Sequence, residues 1–329
     1  MRSIQTQFTF PLSSVKPLER LSQYRAYCLE ATRNVCRKGV HRRELSPASG
    51  AKLEAAGEIA GLPYSRCPAT GSLFLSELPD PAEWATLLSH VCGYRRSPEG
   101  FHRELAQSRA ENVYVPKLEW IQQTLQLQGL SRPKVLEAAT PPSDLAPLLL
   151  QSGLFSDVES ADEMDLAHSA NARETNGLGS VEAAVLLESL DRVDDPVALL
   201  NAVEGRLAPG GLLFVTALVC SGFDAEALGW KNLYLYPPDR TNFFSLGGLR
   251  LLLERAGFSL IEVSTPGVLD LEIFEAHLRM DPDLSLSPFE KRILESDPET
   301  RRAFQSFLQE RGLSSFARIV AKKPRGASE

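Results

Sequence analysis

From Lys134 onward, short apolar runs alternate with amphipathic stretches, and this alternation restricts the possible folds more than any other feature of the chain. Strand-length runs occur at 135–139, 155–159, 183–188, 212–216 and 258–263, with helical spacing over 143–152, 196–207 and 246–256. Such a pattern builds strand-helix-strand units on a largely parallel sheet. The run Ala183-Ala-Val-Leu-Leu-Glu188 does not alternate at all, which predicts a strand covered on both faces. Asp195-Pro196 supplies a cap and a first helical residue for a helix that puts Val197, Leu200, Val203 and Leu207 on one face. That helix ends at Pro209-Gly210-Gly211, which turns into the next strand, and Gly257 closes the helix over 246–256. Helical sequence returns over 288–311, and 316–321 reads as a last strand.

The first 130 residues follow a different pattern. Residues 18–35 and 114–127 carry apolar side chains at helical spacing, and Asp80-Pro81 starts another helix. Residues 64–75 read as a turn feeding a short strand, punctuated by Pro68 and Gly71. The expected organisation is a mainly helical N-terminal unit over 1–130 and an α/β domain over 131–325.

The 329 residues are 43% hydrophobic and 23% charged, a composition that supports a large soluble core. The net charge of -7 argues against a nucleic-acid-coating surface, which needs concentrated Lys and Arg. The basic run Arg37-Lys-Gly-Val-His-Arg-Arg43 reads as a solvated helix end. No run approaches the ~20 apolar residues needed to cross a bilayer, so the chain is expected to be cytoplasmic, with neither membrane nor nucleic acid as partner. Cys28, Cys36, Cys67, Cys92 and Cys220 form no Cys-x-x-Cys pair, and in Cys67-Pro-Ala-Thr-Gly71 a threonine stands where a zinc ribbon would place its second ligand. No bound metal is expected.

Three features together carry a family resemblance. The stretch Glu188-Ser-Leu-Asp-Arg-Val-Asp-Asp-Pro196, the following helix and Leu207-Ala-Pro-Gly-Gly-Leu-Leu-Phe-Val-Thr216 resemble the middle of class I S-adenosylmethionine-dependent methyltransferases. Tyr236-Pro-Pro-Asp-Arg-Thr-Asn-Phe-Phe-Ser-Leu246, Arg255-Ala-Gly-Phe258 and Thr265-Pro-Gly-Val-Leu-Asp270 are similar to one bacterial branch, in which a degenerate cysteine-rich segment often precedes the domain. The resemblance covers 130–323. It implies a Rossmann-like sheet of seven strands in the order 3-2-1-4-5-7-6, with 316–321 inserted antiparallel beside 258–263, and S-adenosylmethionine as cofactor.

The resemblance also assigns positions. Glu137 and Glu159 fall on the acids of the first and second strands, and Glu188 ends a later strand where open α/β sheets bind ligands. In Val135-Leu-Glu-Ala-Ala-Thr-Pro-Pro-Ser-Asp-Leu145 the family's three turn glycines fall on Ala139, Pro141 and Ser143. Two adjacent prolines remove two N–H donors and exclude the conformations that glycine allows, so weak cofactor binding is expected. The implied cofactor contacts are Glu137, Ala139, Ser143, Glu159 and Glu188. The implied substrate contacts are Asp191, Arg192, Tyr236, Arg240 and Asn242. Arg192 and Arg240 stand where the branch usually has histidine, and an arginine cannot act as a base. No catalytic residue is assigned. Two functions stay open: methyl transfer to a small polar acceptor such as a sugar or related metabolite, or a catalytically inactive methyltransferase-like protein acting as a binding partner or regulator of another protein.

Overall fold

The computed structural model describes residues 10–325 apart from 99, 101, 142 and 170–179. In the N-terminal part, α1 (Leu18–Cys36) is followed by β1 (His41–Arg42), β2 (Glu54–Ile59), β3 (Leu62–Arg66), β4 (Leu73–Leu75), β5 (Glu77–Leu78), α2 (Pro81–Arg96), α3 (Ala106–Arg109) and α4 (Val115–Leu127). The α/β part runs β6 (Lys134–Ala138), α5 (Ala146–Gln151), β7 (Asp157–Ala161), α6 (Glu163–His168), β8 (Val181–Leu187), α7 (Ser189–Arg192), α8 (Pro196–Arg206) and β9 (Leu207–Leu218). It continues with α9 (Phe223–Leu228), β10 (Asn242–Phe243), α10 (Leu246–Arg255), β11 (Ser259–Ser264), α11 (Asp270–Met280), α12 (Pro288–Leu294), α13 (Pro298–Glu310) and β12 (Phe316–Lys322).

The main sheet has six strands in the order β11-β12-β9-β8-β6-β7. The pairs β6·β7, β6·β8 and β8·β9 are parallel, and β12 inserts antiparallel between β9 and β11 as expected. The non-alternating run expected to be buried on both faces is β8, the strand between β6 and β9. Side chains on successive residues divide two cores. Val135, Ala183, Val185 and Phe214 face α4 and α5 through Trp120, Ile121 and Leu149. Leu136, Ala184, Leu186 and Val215 face α8 and α10 through Leu199, Leu200, Val203 and Leu249. Caps fix the helices: the Asp195 side chain accepts the N–H groups of Val197 and Ala198, and Ser245 accepts that of Gly248.

The sheet has six strands among the described residues, where seven were expected; the stretch between His168 and Val181, where a further strand would fall, includes residues 170–179, which lie outside the described residues. The N-terminal part has more helix than strand, and it also holds a sheet beyond the one short strand expected. Strands β2, β3 and β4 form an antiparallel sheet in the order β10-β4-β3-β2, completed by β10 from the α/β part. The segment before 130 also supplies α4, whose Trp120 ring meets Phe214 of β9 edge to face at 5.3 Å. The two parts therefore share both a sheet and a core.

The turn between β3 and β4 has a counterpart in the preceding loop. Ser46-Pro-Ala-Ser-Gly50 and Cys67-Pro-Ala-Thr-Gly71 have matching spacing, each closes with a 2.8 Å bond from the glycine N–H to the first residue's carbonyl, and both glycines have positive φ. They meet where Ser49 Oγ and Cys67 Sγ lie 3.2 Å apart. Burial pushes the Cys67 thiol up, but hydrogen bonds with Ser46, Ser49 and Thr70 outweigh it and bring it down to about 7. The hydroxyls of Ser46, Ser49 and Thr70 thus surround the one thiol at this junction. Among the described residues no group of three or more His, Cys, Asp or Glu could hold a metal ion. No helix among them is long and apolar enough to cross a membrane.

Candidate functional site

A cleft opens at the C-terminal ends of β6 and β8, roofed by α1, α2 and the segment leading into α4. Its first wall is the turn after β6, which holds together without glycine. Ser143 Oγ donates to Glu137 and accepts the N–H groups of Leu145 and Ala146 at 3.0 and 3.2 Å, starting α5. Ser160 Oγ lies 3.4 Å from the other Glu137 oxygen, and the Ala139 N–H donates to Ala161. Side-chain bonds thus replace the backbone freedom that a glycine turn would use. Burial pushes the Glu137 carboxyl up, against the two serine hydrogen bonds.

The second wall begins at Glu188, which takes a left-handed φ of 60° directly after β8. Its carboxylate accepts from Arg240 at 2.8 Å and lies 4.0 Å from Lys117 Nζ. Burial would raise it, but Arg240, Lys16, Lys117 and Arg192 outweigh burial and hold it well below the usual carboxylate range. Arg192 pairs with Glu163 at 3.2 Å, and Glu163, fully buried just beyond β7, also accepts from Thr140 Oγ1 at 2.6 Å. The Tyr236 hydroxyl donates to Asp239 at 2.9 Å.

Of the ten residues singled out from sequence, Glu137, Ala139, Ser143, Glu188, Arg192, Tyr236 and Arg240 line this cleft. The other three do not. Glu159 lies in the middle of β7 and is held by Arg206 at 2.6 and 2.7 Å, away from the cleft. Beyond the end of that strand, Glu163 is the acid bonded to Thr140 of the cleft loop. Asp191 is buried behind the wall, where its carboxylate accepts the Leu218 N–H at 3.1 Å and meets Arg240 at 3.3 Å; burial pushes it up to about 8. Asn242 belongs to β10, donating to the Leu190 and Val193 carbonyls and accepting from Arg43.

Five cations from the N-terminal part also line the cleft and were not anticipated: Lys16, Arg95, Arg96, Arg109 and Lys117. The adjacent pair Arg95-Arg96 at the end of α2 was a local signal; the others had none. Asp144 anchors one edge of this group, accepting from Arg96 at 2.6 Å and from Tyr114 at 2.8 Å.

The family model of a methyltransferase domain matches residues 67–263. A curated ubiquinone biosynthesis O-methyltransferase of Xanthomonas axonopodis is 30% identical over 128 residues, 37% of this chain and 54% of that protein. Its counterpart in Xanthomonas campestris is 34% identical over 76 residues, 23% of this chain and 32% of that protein. The chain thus spans about half the length, or less, of these curated relatives. Solved structures superpose loosely. A 1,6-didemethyltoxoflavin N1-methyltransferase of Burkholderia thailandensis gives a TM-score of 0.42 at 12% identity over 82% of this chain and 99% of that one. An S-adenosylmethionine-dependent methyltransferase of Thermotoga maritima gives 0.40 at 17% identity over 70% and 97%. These superpositions are too distant to say anything about the site. With a family match spanning more than half its length, the chain belongs to the methyltransferase domain family, with S-adenosylmethionine as the cofactor.

Proposed function

We propose that this protein transfers a methyl group from S-adenosylmethionine to a small-molecule acceptor. The observation that carries the reading is a set of acids at the ends of three neighbouring strands: Glu137 near the end of β6 and Glu188 after β8 line one cleft, and Glu163 after β7 is buried behind it, bonded to Thr140 of the cleft loop. The donor chemistry fits the cofactor: carboxylates suit its ammonium and ribose hydroxyls, and Lys16 and Arg240 suit its carboxylate. Glu137, Ser143 and Glu188 would hold it, with the Ala139 backbone alongside. The cofactor supplies an activated methyl on a sulfonium, so the protein's work is to align donor and acceptor and keep water out.

A second reading, a methyltransferase-like protein that binds without catalysis, draws on a different observation. The cleft is about 90 Å³, small against the ~300 Å³ and upward of most small-molecule sites. Every acid in it is already held by a neighbour within the chain. Calorimetric titration with S-adenosylmethionine and with its demethylated product separates the two. Saturable binding of both at micromolar concentration supports methyl transfer; no binding at millimolar concentration rules it out and leaves the binding role.

The curated O-methyltransferases similar to part of the chain support an oxygen acceptor. A sugar suits the surroundings poorly, since the space adjoining the cleft is apolar.

A further inference from the structure

Beside the cofactor cleft lies a second cavity, of about 180 Å³. Its walls come largely from Leu12, Val15, Val113, Pro116, Val268 and Ile273. A dry apolar cavity of roughly 150 Å³ is enough to take a benzene ring. The two spaces meet at Lys16, Arg109, Lys117, Glu188 and Tyr234, which line both.

The polar groups on this wall are incompletely matched. Tyr234 Oη and Asp224 Oδ1 are buried and have no hydrogen-bond partner among the described residues. Buried polar atoms are nearly always paired, so two such atoms on one cavity point to a ligand. The cations show the same deficit. Among the described residues no carboxylate lies within ion-pair distance of Lys16, Arg109 or Arg318, and Lys117 reaches Glu188 only at 4.0 Å. Lys16 Nζ sits 4.8 Å from the Tyr234 ring centre, Lys117 Nζ 5.4 Å from that of Phe316, and the Arg318 guanidinium 5.4 Å from that of Trp120. Glu188 is engaged by Arg240, and Asp270 already accepts from Ser314, Ser315 and Gln305. Burial and the neighbouring Asp270 push the Asp224 carboxyl well up, which disfavours its charged form. Cations shielded from water without a counterion are unfavourable, and a bound anion relieves that.

We infer that this cavity binds an organic acid with a body about the size of one aromatic ring, its carboxylate among Lys16, Lys117 and Arg109 and its ring between Val113 and Ile273. The Tyr234 hydroxyl then donates to the same carboxylate. The inference deepens the methyl-transfer reading, since an acid held at this junction is the acceptor; its binding is measured without the cofactor.

The test is calorimetric titration of the full chain with trans-cinnamate and with trans-cinnamamide, its neutral isostere. Cinnamate is expected to saturate, and the amide to bind at least about tenfold more weakly, the effect of losing charge-assisted hydrogen bonds. Ile273→Trp fills the cavity and is expected to abolish cinnamate binding while leaving the cofactor titration unchanged. Lys117→Met is expected to reduce cinnamate to the affinity of the amide. Equal binding of acid and amide overturns the inference, and so does failure of both to saturate; this comparison needs only the unmodified protein. Cinnamate binding without any cofactor binding leaves the inference standing and defeats the methyl-transfer reading instead.

Discussion

The cleft at the strand ends and the apolar cavity share five residues, yet they are built in opposite ways. In the cleft the acids are held from within the chain: Glu188 by Arg240, Asp144 by Arg96, and Glu137 by the hydroxyls of Ser143 and Ser160. In the cavity the cations lie against aromatic rings and two polar atoms are unpaired. A site that satisfies its own charges resists an incoming polar group, because the ligand must replace bonds already made. A site with unpaired cations favours an anion. The contrast implies that the second space contributes more to ligand selection than the first.

The largest expected effect tests the self-satisfied side. Arg240, only 4% exposed, is the shared partner of Glu188 and Asp191. Arg240→Met leaves both acids without it, and urea unfolding should show a loss of about 3 kcal/mol or more, as when one partner of a buried pair is removed. A loss under about 1 kcal/mol would mean that the cleft does not depend on internal pairing.

The next tests the unpaired side. Burial brings Lys16 and Lys117 down to about 8, against the opposing pull of Glu188. Lys16 also faces Arg240, Arg109 and Asp239, and Lys117 faces Arg318 and Arg109. The lysines carry charge below that pH and lose it above, so cinnamate affinity should be full near pH ~6.5 and fall by roughly tenfold by pH ~9. Arg240, raised against burial by Glu188 and Asp191, and Glu188, held well below the usual carboxylate range, keep their charges across this range. A flat profile in calorimetry would remove the lysines from recognition.

The smallest effect concerns a residue outside both spaces. Glu159→Ala breaks a part-exposed pair with Arg206, worth about 1 kcal/mol or less. Cofactor affinity should stay within about twofold of the unmodified protein. A larger drop would return Glu159 to the ribose position that the sequence alignment assigned to it.

Much of the fold was legible because its signals are local. Asp195-Pro196 capped a helix in the sequence and caps α8 in the structure, and Gly257, at φ 88°, closes α10. Ala183 to Leu187 reads as buried on both faces and lies at the centre of the sheet. The N-terminal sheet was harder to see. Its strands are two to six residues long, and Asn242 and Phe243 come from the far side of the sequence to pair with Phe74 and Leu73. The repeated Pro-Ala turns at 46–50 and 67–71 were in plain view but marked no element by periodicity.

The sequence by itself determined the parallel architecture, the reversed last strand, the absence of glycine from the turn after β6 and the family. Each follows from which residues are apolar and where the chain can bend, properties carried by neighbours along the chain. Only the tertiary structure decided which charge meets which: that Glu159 is held by Arg206, that Glu188 is held by Arg240, and that Lys16 and Lys117 converge from opposite ends of the N-terminal part. Coulomb and hydrogen-bond energies depend on separations of a few ångströms between residues far apart in sequence, and packing sets those separations.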